Sequence, residues 1–264
     1  NLYTSVDDGA TWNAGVAIGA STARAAFATT PASPMDVFIV KNIGANPVFK
    51  SSDGGATVAV VQVDGKLLLN GDCTGGGSGG QGWYDICIAV DPTNANNVMV
   101  GGVSIWKSVN GGANFSIAGC WSSMGTNVHA DHHFMAWSPH FPTRLMVCND
   151  GGLYQTDNLG VNYTYLSSGV AVTQMYRMGQ STTRPGYLVA GLQDNGMIIC
   201  HAPTWTISIG GDGLDCAVDP SNDNYQYGSY VNGVIRRSNN AGANWGTIGQ
   251  NGLNGITESG PWLT

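Results

Sequence analysis

Charged residues are scarce in this sequence. They make up 10% of its 264 residues, against roughly a quarter in average proteins. Glutamate occurs once, as Glu258, and lysine occurs four times. Because glutamate and lysine are the residues that usually cover exposed helix faces, their scarcity argues against a mainly helical protein.

The sequence also lacks clustered positive charge and long apolar runs. The formal net charge is −7 at pH 7, and only Arg236 and Arg237 adjoin. Binding to nucleic-acid phosphates needs clustered Lys and Arg, so no nucleic-acid partner is expected. No apolar run reaches the roughly 18 residues that span a bilayer, so no membrane span is expected either.

Glycine and cysteine are well represented. Glycine accounts for 39 residues, spread among Asn, Thr, Ser and Val, a composition that favours short strands joined by tight turns. The even number of six cysteines fits an oxidising compartment, although free buried thiols are an equal alternative. The predicted disulfides are Cys73–Cys120 and Cys200–Cys216, with Cys87 and Cys148 expected to stay reduced in inner strands.

One short motif, called the box below, recurs along the chain. The pattern Ser/Thr-x-Asp/Asn-x-Gly-x-x-aromatic starts at Ser5, Ser108 and Ser238, and two looser copies start at Ser51 and Thr156. In a tight turn the Asp or Asn side chain accepts bonds from nearby backbone N–H groups and Gly supplies a positive φ, while the aromatic packs between neighbouring sheets. The structural box residues are Asp7, Trp12, Asp53, Asn110, Phe115, Asn158, Tyr163, Asn240 and Trp245.

A proline turn followed by an apolar strand recurs with the box. Each unit then consists of four short antiparallel strands in about 35 to 60 residues, which is typical of a β-propeller blade. Five full blades are expected to begin near residues 21, 83, 129, 171 and 210. The proline turns are Thr30-Pro31, Asp91-Pro92, Ser138-Pro139, Arg184-Pro185 and Asp219-Pro220.

These boxes resemble the Asp-box, or BNR, repeats of sialidases, family 74 xyloglucanases and sortilin-like propellers. The resemblance covers nearly all of the chain and implies an all-β fold, a β-propeller of four-stranded antiparallel blades with Asp-box turns. Residues 1–13 hold a box and the strand after it, and residues 256–262 look like the opening of a further blade. We therefore expect residues 1–264 to be a single propeller region of about five full blades, with partial blades at both ends, from a longer protein.

Polar residues recur where the inner strands of the blades begin. Propeller ligands usually bind near the axis, where these strands converge, whereas the boxes fall on the opposite face. The second strand of each blade runs antiparallel to the first, so its far end returns to the same rim. Alignment on the prolines, together with these strand ends, gives a predicted ligand-binding rim, whose residues are Trp83, Asp85, His129, Asp131, His132, Asp150, Gln193, Asp194 and Asp212.

The histidine-rich part of this rim is a candidate metal site. In a strand, His129, Asp131 and His133 would share one side and His132 the other, and two imidazoles with a carboxylate suit a transition metal. The alternative is a polar inner strand whose side chains bond one another. No Cys-x-x-Cys pair supports zinc, so no metal site is assigned, and no cofactor is expected.

Two classes of function fit the rim. The first is an extracellular or cell-surface binding or assembly module, with other protein subunits or domains as partners and glycans as a candidate ligand. The alternative is a polysaccharide-degrading glycoside hydrolase, because such enzymes use two carboxyl groups roughly 5 to 10 Å apart and the rim offers several pairs. The catalytic residues of the resembled families do not map onto this chain, which has six arginines and Glu258 near its end, so they stay unassigned.

Overall fold

A computed structural model describes residues 1–19, 23–122, 128–170 and 173–249. The chain divides into two compact units, Asn1–Gly169 and Val170–Thr264. In the described residues, twenty strands form five four-stranded antiparallel sheets, and the only helical element is a 3-10 turn at Val231–Gly233. The fold class is therefore all-β, with the four-stranded antiparallel blades of a β-propeller, as predicted. No helix in the described part of the chain is long and apolar enough to cross a membrane.

The first unit contains three blades, each with its strands paired in chain order. Blade 1 consists of β1 (Ala25–Thr30), β2 (Ser33–Lys41), β3 (Val48–Ser51) and β4 (Ala59–Val60). Blade 2 consists of β5 (Cys87–Val90), β6 (Val98–Gly101), β7 (Ile105–Ser108) and β8 (Ser116–Gly119). Blade 3 consists of β9 (His132–Trp137), β10 (Leu145–Asn149), β11 (Gly152–Thr156) and β12 (Thr164–Tyr165).

The second unit contains two blades with the same strand order. Blade 4 consists of β13 (Met175–Gln180), β14 (Tyr187–Leu192), β15 (Gly196–His201) and β16 (Thr204–Ile209). Blade 5 consists of β17 (Gly213–Val218), β18 (Gln226–Tyr230), β19 (Val234–Ser238) and β20 (Gly246–Gly249). Each inner strand begins three or four residues after its predicted start.

The ends of the chain differ from the blades. The first box forms its turn, but the strand expected after it is absent from the described residues 1–19, where Leu2 and Val16 form only an isolated bridge. The expected opening of a further blade at residues 256–262 lies outside the described residues.

Apolar side chains fill the space between neighbouring blades within each unit. Phe38 of blade 1 and Trp106 of blade 2 share one buried cluster, and Met99 of blade 2 and Leu145 of blade 3 share another. In the second unit, Val189 of blade 4 packs in one cluster with Val218 of blade 5. Burial of these faces stabilises adjacent sheets against each other, at roughly 25 cal/mol per Å² of apolar surface removed from water.

All five boxes make the same local hydrogen bonds. In the copy that begins at Ser108, the Ser108 hydroxyl accepts a bond from Gly112 N–H at 2.9 Å and donates to Asn110 Oδ1 at 2.8 Å. The same Oδ1 accepts from Asn114 N–H at 3.0 Å. Equivalent bonds occur in the copies that begin at residues 5, 51, 156 and 238.

The boxes lie at the end of the blade away from the predicted rim. Ser108 pairs with Val98, whereas Ile105 pairs with Gly101 and Gly101 with Cys87, the first residue of β5. The strand register therefore puts the box and the start of the inner strand at opposite ends of the sheet, as predicted.

The box aromatics pack as predicted in three blades. Phe115 is buried, and Tyr163 and Trp245 pack against core clusters. Trp12 differs, because 63% of it is exposed and its indole N–H donates only to the Gly9 carbonyl, within its own turn. The expectation that Trp12 packs between sheets is wrong, since no described blade contains the first box.

The hydrogen bonds of Asn110 predict that Asn110→Ala and Asn110→Asp differ in their effect on the free energy of unfolding. Asn110→Ala removes the acceptor of two hydrogen bonds, and we expect it to lower the free energy of unfolding by about 1 to 2 kcal/mol. Asn110→Asp keeps that acceptor and should be nearly neutral. Urea unfolding of the three proteins measures the difference.

A double variant provides the control. The two Asp boxes have Thr four residues later, and Thr57 Oγ1 donates to the second carboxylate oxygen of Asp53 at 2.6 Å. The three Asn boxes have Asn at that position. Asn110→Asp combined with Asn114→Thr should therefore be more stable than Asn110→Asp alone; equal midpoints for the two would contradict this pairing.

The cysteines confirm one predicted disulfide and correct the other. Cys73 and Cys120 are bonded, and Cys87 and Cys148 are free. The predicted Cys200–Cys216 disulfide is wrong, because both residues are free, buried and in different sheets. Cys216 Sγ instead donates toward backbone carbonyls, including that of Val189 at 3.4 Å.

Candidate functional site

A turn immediately before β5 orients the first rim residues. The Gln81 carbonyl accepts bonds from Tyr84 N–H at 2.6 Å and Asp85 N–H at 3.0 Å. From the start of blade 1, the Arg24 guanidinium donates to the Trp83 carbonyl at 3.1 Å and also to the Tyr84 carbonyl. These bonds fix a turn in which 68% of Trp83 is exposed while Asp85 is fully buried.

The segment before β9 differs from the sequence-based prediction. Strand β9 begins at His132, and Asp131 has a left-handed φ of 64°. Strand alternation therefore does not extend back to Asp131 and His129. The prediction that His129, Asp131 and His133 lie on one side of a strand is wrong, because only His133 belongs to the strand. Their side chains have different partners: His129 Nδ1 lies 3.3 Å from the Ala130 carbonyl, Asp131 contacts Gln81, and His133 contacts Asp150.

His132 is a buried structural residue. Its Nδ1 lies 2.9 Å from the Gly102 carbonyl and therefore carries the proton, while its Nε2 lies 3.4 Å from Asn149 Nδ2. Burial lowers the pKa of this imidazole to about 4, so His132 is neutral at physiological pH. It links blades 2 and 3 and is closed to a ligand in solution.

Asp150, which follows β10, connects several side chains near the surface. One carboxylate oxygen lies 2.7 Å from His133 Nε2, and the other accepts a bond from the Tyr84 hydroxyl at 3.1 Å. The Tyr84 ring makes an edge contact with the His133 ring at 4.8 Å between centroids, and the Trp83 ring lies 5.8 Å from Tyr84. The exposed Trp83 and Tyr84 rings therefore border the Asp150 carboxylate, whose contacts with His133 and Tyr84 fix its orientation.

The glycine after Asp150 permits this arrangement. A Cβ on Gly151 would lie 2.4 Å from the Cβ of His129, closer than two carbons approach without displacement. The Asn-Asp-Gly-Gly sequence thus allows the segment after β10 to pass directly beside the segment before β9.

Asp85 and Asp131 form an acidic pair deeper in the site. Burial, and then the nearby Asp131 carboxylate, raises the pKa of Asp85 to about 8. Burial, followed by the charge of Asp150, also raises the pKa of Asp131. Gln81 Nε2 donates to Asp131 Oδ1 at 2.5 Å. Within the described part of the chain, neither carboxyl forms an ion pair with Lys or Arg.

The remaining rim residues cluster in the second unit. Gln193 Oε1 accepts bonds from the Tyr176 hydroxyl at 2.7 Å and from Gln174 Nε2 at 3.2 Å. Asp212 Oδ1 accepts a bond from Asp194 N–H at 3.0 Å. Burial, and then the carboxylates of Asp212 and Asp194, raises the pKa of the Tyr176 phenol.

The rim prediction found the acids but missed several of their partners. Within the first unit the structure brings Asp85, Asp131 and Asp150 into one electrostatically linked group, with Trp83 on its exposed side. Gln81 was missed because it ends a glycine-rich loop that carries no pattern. The contact of His133 with Asp150 was missed because His133 lies in β9 and Asp150, 17 residues later, follows β10.

Comparison with known proteins gives structural similarity only. No protein-family model matches the chain, and no curated protein matches it. A GH74 enzyme from Niastella koreensis is 20% identical with a TM-score of 0.37, over 84% of this chain and 37% of its own. The GH74 xyloglucanase from Xanthomonas campestris is 16% identical with a TM-score of 0.39, over 84% of this chain and 38% of its own.

A second group of similar structures consists of YCF48 proteins. YCF48 from Cyanidioschyzon merolae is 12% identical with a TM-score of 0.39, over 98% of this chain and 79% of its own. Another YCF48 structure, described as bound to D1 peptide, is 13% identical with a TM-score of 0.40, over 91% of this chain and 72% of its own. By contrast, this chain spans less than two fifths of the length of the two GH74 structures.

Proposed function

We propose that this chain is an extracellular Asp-box propeller module that binds glycans at the rim of its first unit. The observation that carries the proposal is the exposed Trp83 indole beside Tyr84, whose hydroxyl contacts the Asp150 carboxylate. A sugar ring presents apolar C–H faces and hydroxyl edges, so an aromatic surface bordered by acceptors suits it.

Two further observations support parts of this proposal. The hydrogen bonds that all five boxes share support assignment to the Asp-box group. The Cys73–Cys120 disulfide supports an oxidising compartment, because disulfides persist mainly in secreted and cell-surface proteins.

Trp83→Ala tests the glycan site directly. We expect the wild-type chain to bind members of a glycan array and Trp83→Ala to weaken the best interaction at least tenfold, which is about 1.4 kcal/mol, because the stacking surface is lost. Titration calorimetry on the best array ligand gives the affinities. Trp205→Ala is the matched control, since Trp205 is a 48% exposed tryptophan on the outer strand β16.

The outcomes separate the module from its alternatives. An unchanged affinity in Trp83→Ala, or an equal loss in Trp205→Ala, would reject this location for the site. If the wild type binds no glycan, the glycan proposal fails and a protein-assembly scaffold becomes the better interpretation.

A glycoside hydrolase is the second candidate, favoured by the raised pKa values of the Asp85 and Asp131 pair. Asp85 is fully buried, so a substrate would meet Asp131 and Asp150 first. A reducing-end assay on polysaccharides distinguishes the candidates: a hydrolase loses turnover but retains binding in Asp131→Asn and Asp150→Asn, since those groups act mainly on the transition state. A wild type that binds without turnover rejects the hydrolase.

A further inference from the structure

Two short sequences suited to covalent modification overlap the boxes of blades 2 and 3. The chain contains two Asn-x-Ser/Thr sequences, Asn114-Phe115-Ser116 and Asn162-Tyr163-Thr164. Asn-x-Ser/Thr, with any residue except proline in the middle, is the acceptor sequence for N-linked glycosylation. Each copy begins one residue before the box aromatic, which is its middle residue. The same local structure therefore presents both sequences.

The two asparagines present their side chains to solvent. Asn114 and Asn162 are exposed, and the box uses only their backbone N–H groups, each of which donates to the Asn four residues earlier at 3.0 Å. Among the described residues, neither side-chain amide forms a hydrogen bond. The residue that follows each asparagine anchors the turn, since Phe115 is buried and Tyr163 packs against a core cluster. A glycan on either amide would thus displace no contact of the folded chain.

The two hydroxyl residues are equally open. Ser116 begins β8 and Thr164 begins β12, the outermost strands of blades 2 and 3. Both residues are exposed, and neither hydroxyl forms a hydrogen bond within the described part of the chain. The boxes lie at the ends of these blades away from the start of the inner strands. Glycans attached there would lie away from the proposed binding surface around Trp83.

The other boxes lack this combination. In the Asp boxes the equivalent residue is threonine, and its hydroxyl is bonded to the box carboxylate, as Thr57 is to Asp53 at 2.6 Å. In the third Asn box, Asn244 is exposed like Asn114 and Asn162, but Gly246 stands at the hydroxyl position. The acceptor sequence is therefore complete in two boxes, and the third Asn box provides an internal comparison.

We propose that Asn114 and Asn162 are sites of N-linked glycosylation, with a lipid pyrophosphate-linked oligosaccharide as the donor. The Asn amide nitrogen loses one proton to a base of the oligosaccharyltransferase and bonds to C1 of the first sugar. The bond between C1 and the pyrophosphate oxygen breaks, and the lipid pyrophosphate leaves with that electron pair. The reaction takes place during secretion, so this inference rests on the extracellular location proposed above but not on glycan binding at the rim.

Translation of the full chain behind a secretory leader, in the presence of endoplasmic-reticulum microsomes, tests both sites. We expect protease-protected chains to carry two glycans. Peptide N-glycosidase should remove them and leave aspartate at positions 114 and 162, which tandem mass spectrometry assigns. Asn114→Gln and Asn162→Gln should each lose one glycan, and the double variant should lose both.

Matched variants keep the asparagine and change the hydroxyl residue instead. Ser116→Ala and Thr164→Ala should each lose one glycan, because the acceptor sequence requires the hydroxyl. Gly246→Thr should gain a third glycan, since Asn244 is exposed and a Cβ at Gly246 meets open space.

The outcomes distinguish this inference from the proposed function. A protease-protected wild type without glycan would overturn the proposal, and modification of one site alone would reject the other site. A modification that persists at Asn114 in Ser116→Ala, or at Asn162 in Thr164→Ala, would contradict N-linked glycosylation. Glycan-array binding by the unmodified chain is measured separately, so either proposal can fail while the other stands.

Discussion

Loss of the Cys73–Cys120 disulfide is expected to lower the free energy of unfolding of the first unit by about 4 kcal/mol. The two residues are 47 positions apart, and a crosslink across a loop of that length removes much of the conformational entropy of the unfolded chain. Cys73→Ser is the preferred variant because Cys73 is half-buried, whereas Cys120 is 2% exposed. Urea unfolding under non-reducing conditions measures the loss.

Reduction of the wild type provides the control for this variant. A reductant should shift the wild-type midpoint towards that of Cys73→Ser and leave the variant unchanged, since its remaining cysteines have no disulfide to lose. Equal midpoints for the oxidised wild type and the variant would show that the crosslink contributes no stability.

Gly191→Ala is expected to destabilise the second unit by about 3 kcal/mol, the upper end of the usual cost of overpacking. A Cβ at this position in β14 would lie 2.0 Å from the Leu214 carbonyl oxygen of β17. That atom belongs to the backbone of the next blade, so relief requires the two sheets to separate. Thermal or urea unfolding of the variant measures the effect.

Gly246→Ala is the matched control. Gly246 lies in β20 of the same unit, has no positive φ, and has open space where a Cβ would be. We expect this change to be neutral or slightly stabilising, because alanine restricts the unfolded chain. A similar loss in both variants would refute the close contact between β14 and β17.

The fold was predictable because its determinants are local and repeated. Each box contains its own hydrogen-bond donors and acceptors within seven residues, as from Ser108 to Asn114, so five copies could be recognised and the blades placed between them. The Gly191 contact was not predictable, because its cause is a carbonyl on another strand. Trp12 was misplaced for a related reason, since its packing depends on a neighbouring sheet rather than on its turn.

The candidate site was predictable only in the type of residue it contains. The recurrence of acids before inner strands identified Asp85 and Asp131, and the antiparallel return of the second strand identified Asp150. The same pattern could not show that Asp131 adopts a left-handed conformation, which ended the alternation assumed for His129 and His133. Nor could it distinguish buried His132 from half-buried His133, because burial depends on how blade 3 packs against Gly102 of blade 2.

Strand pairing in chain order has a consequence for synthesis on the ribosome. Every hydrogen-bonded strand pair within the five sheets joins strands that are consecutive in sequence, so no sheet waits for a distant segment to be made. Loop closure for such pairs costs little entropy, and contacts local in sequence form quickly. Each blade can thus complete its hydrogen bonding as it emerges, and the apolar face it exposes is covered when the next blade of its unit follows.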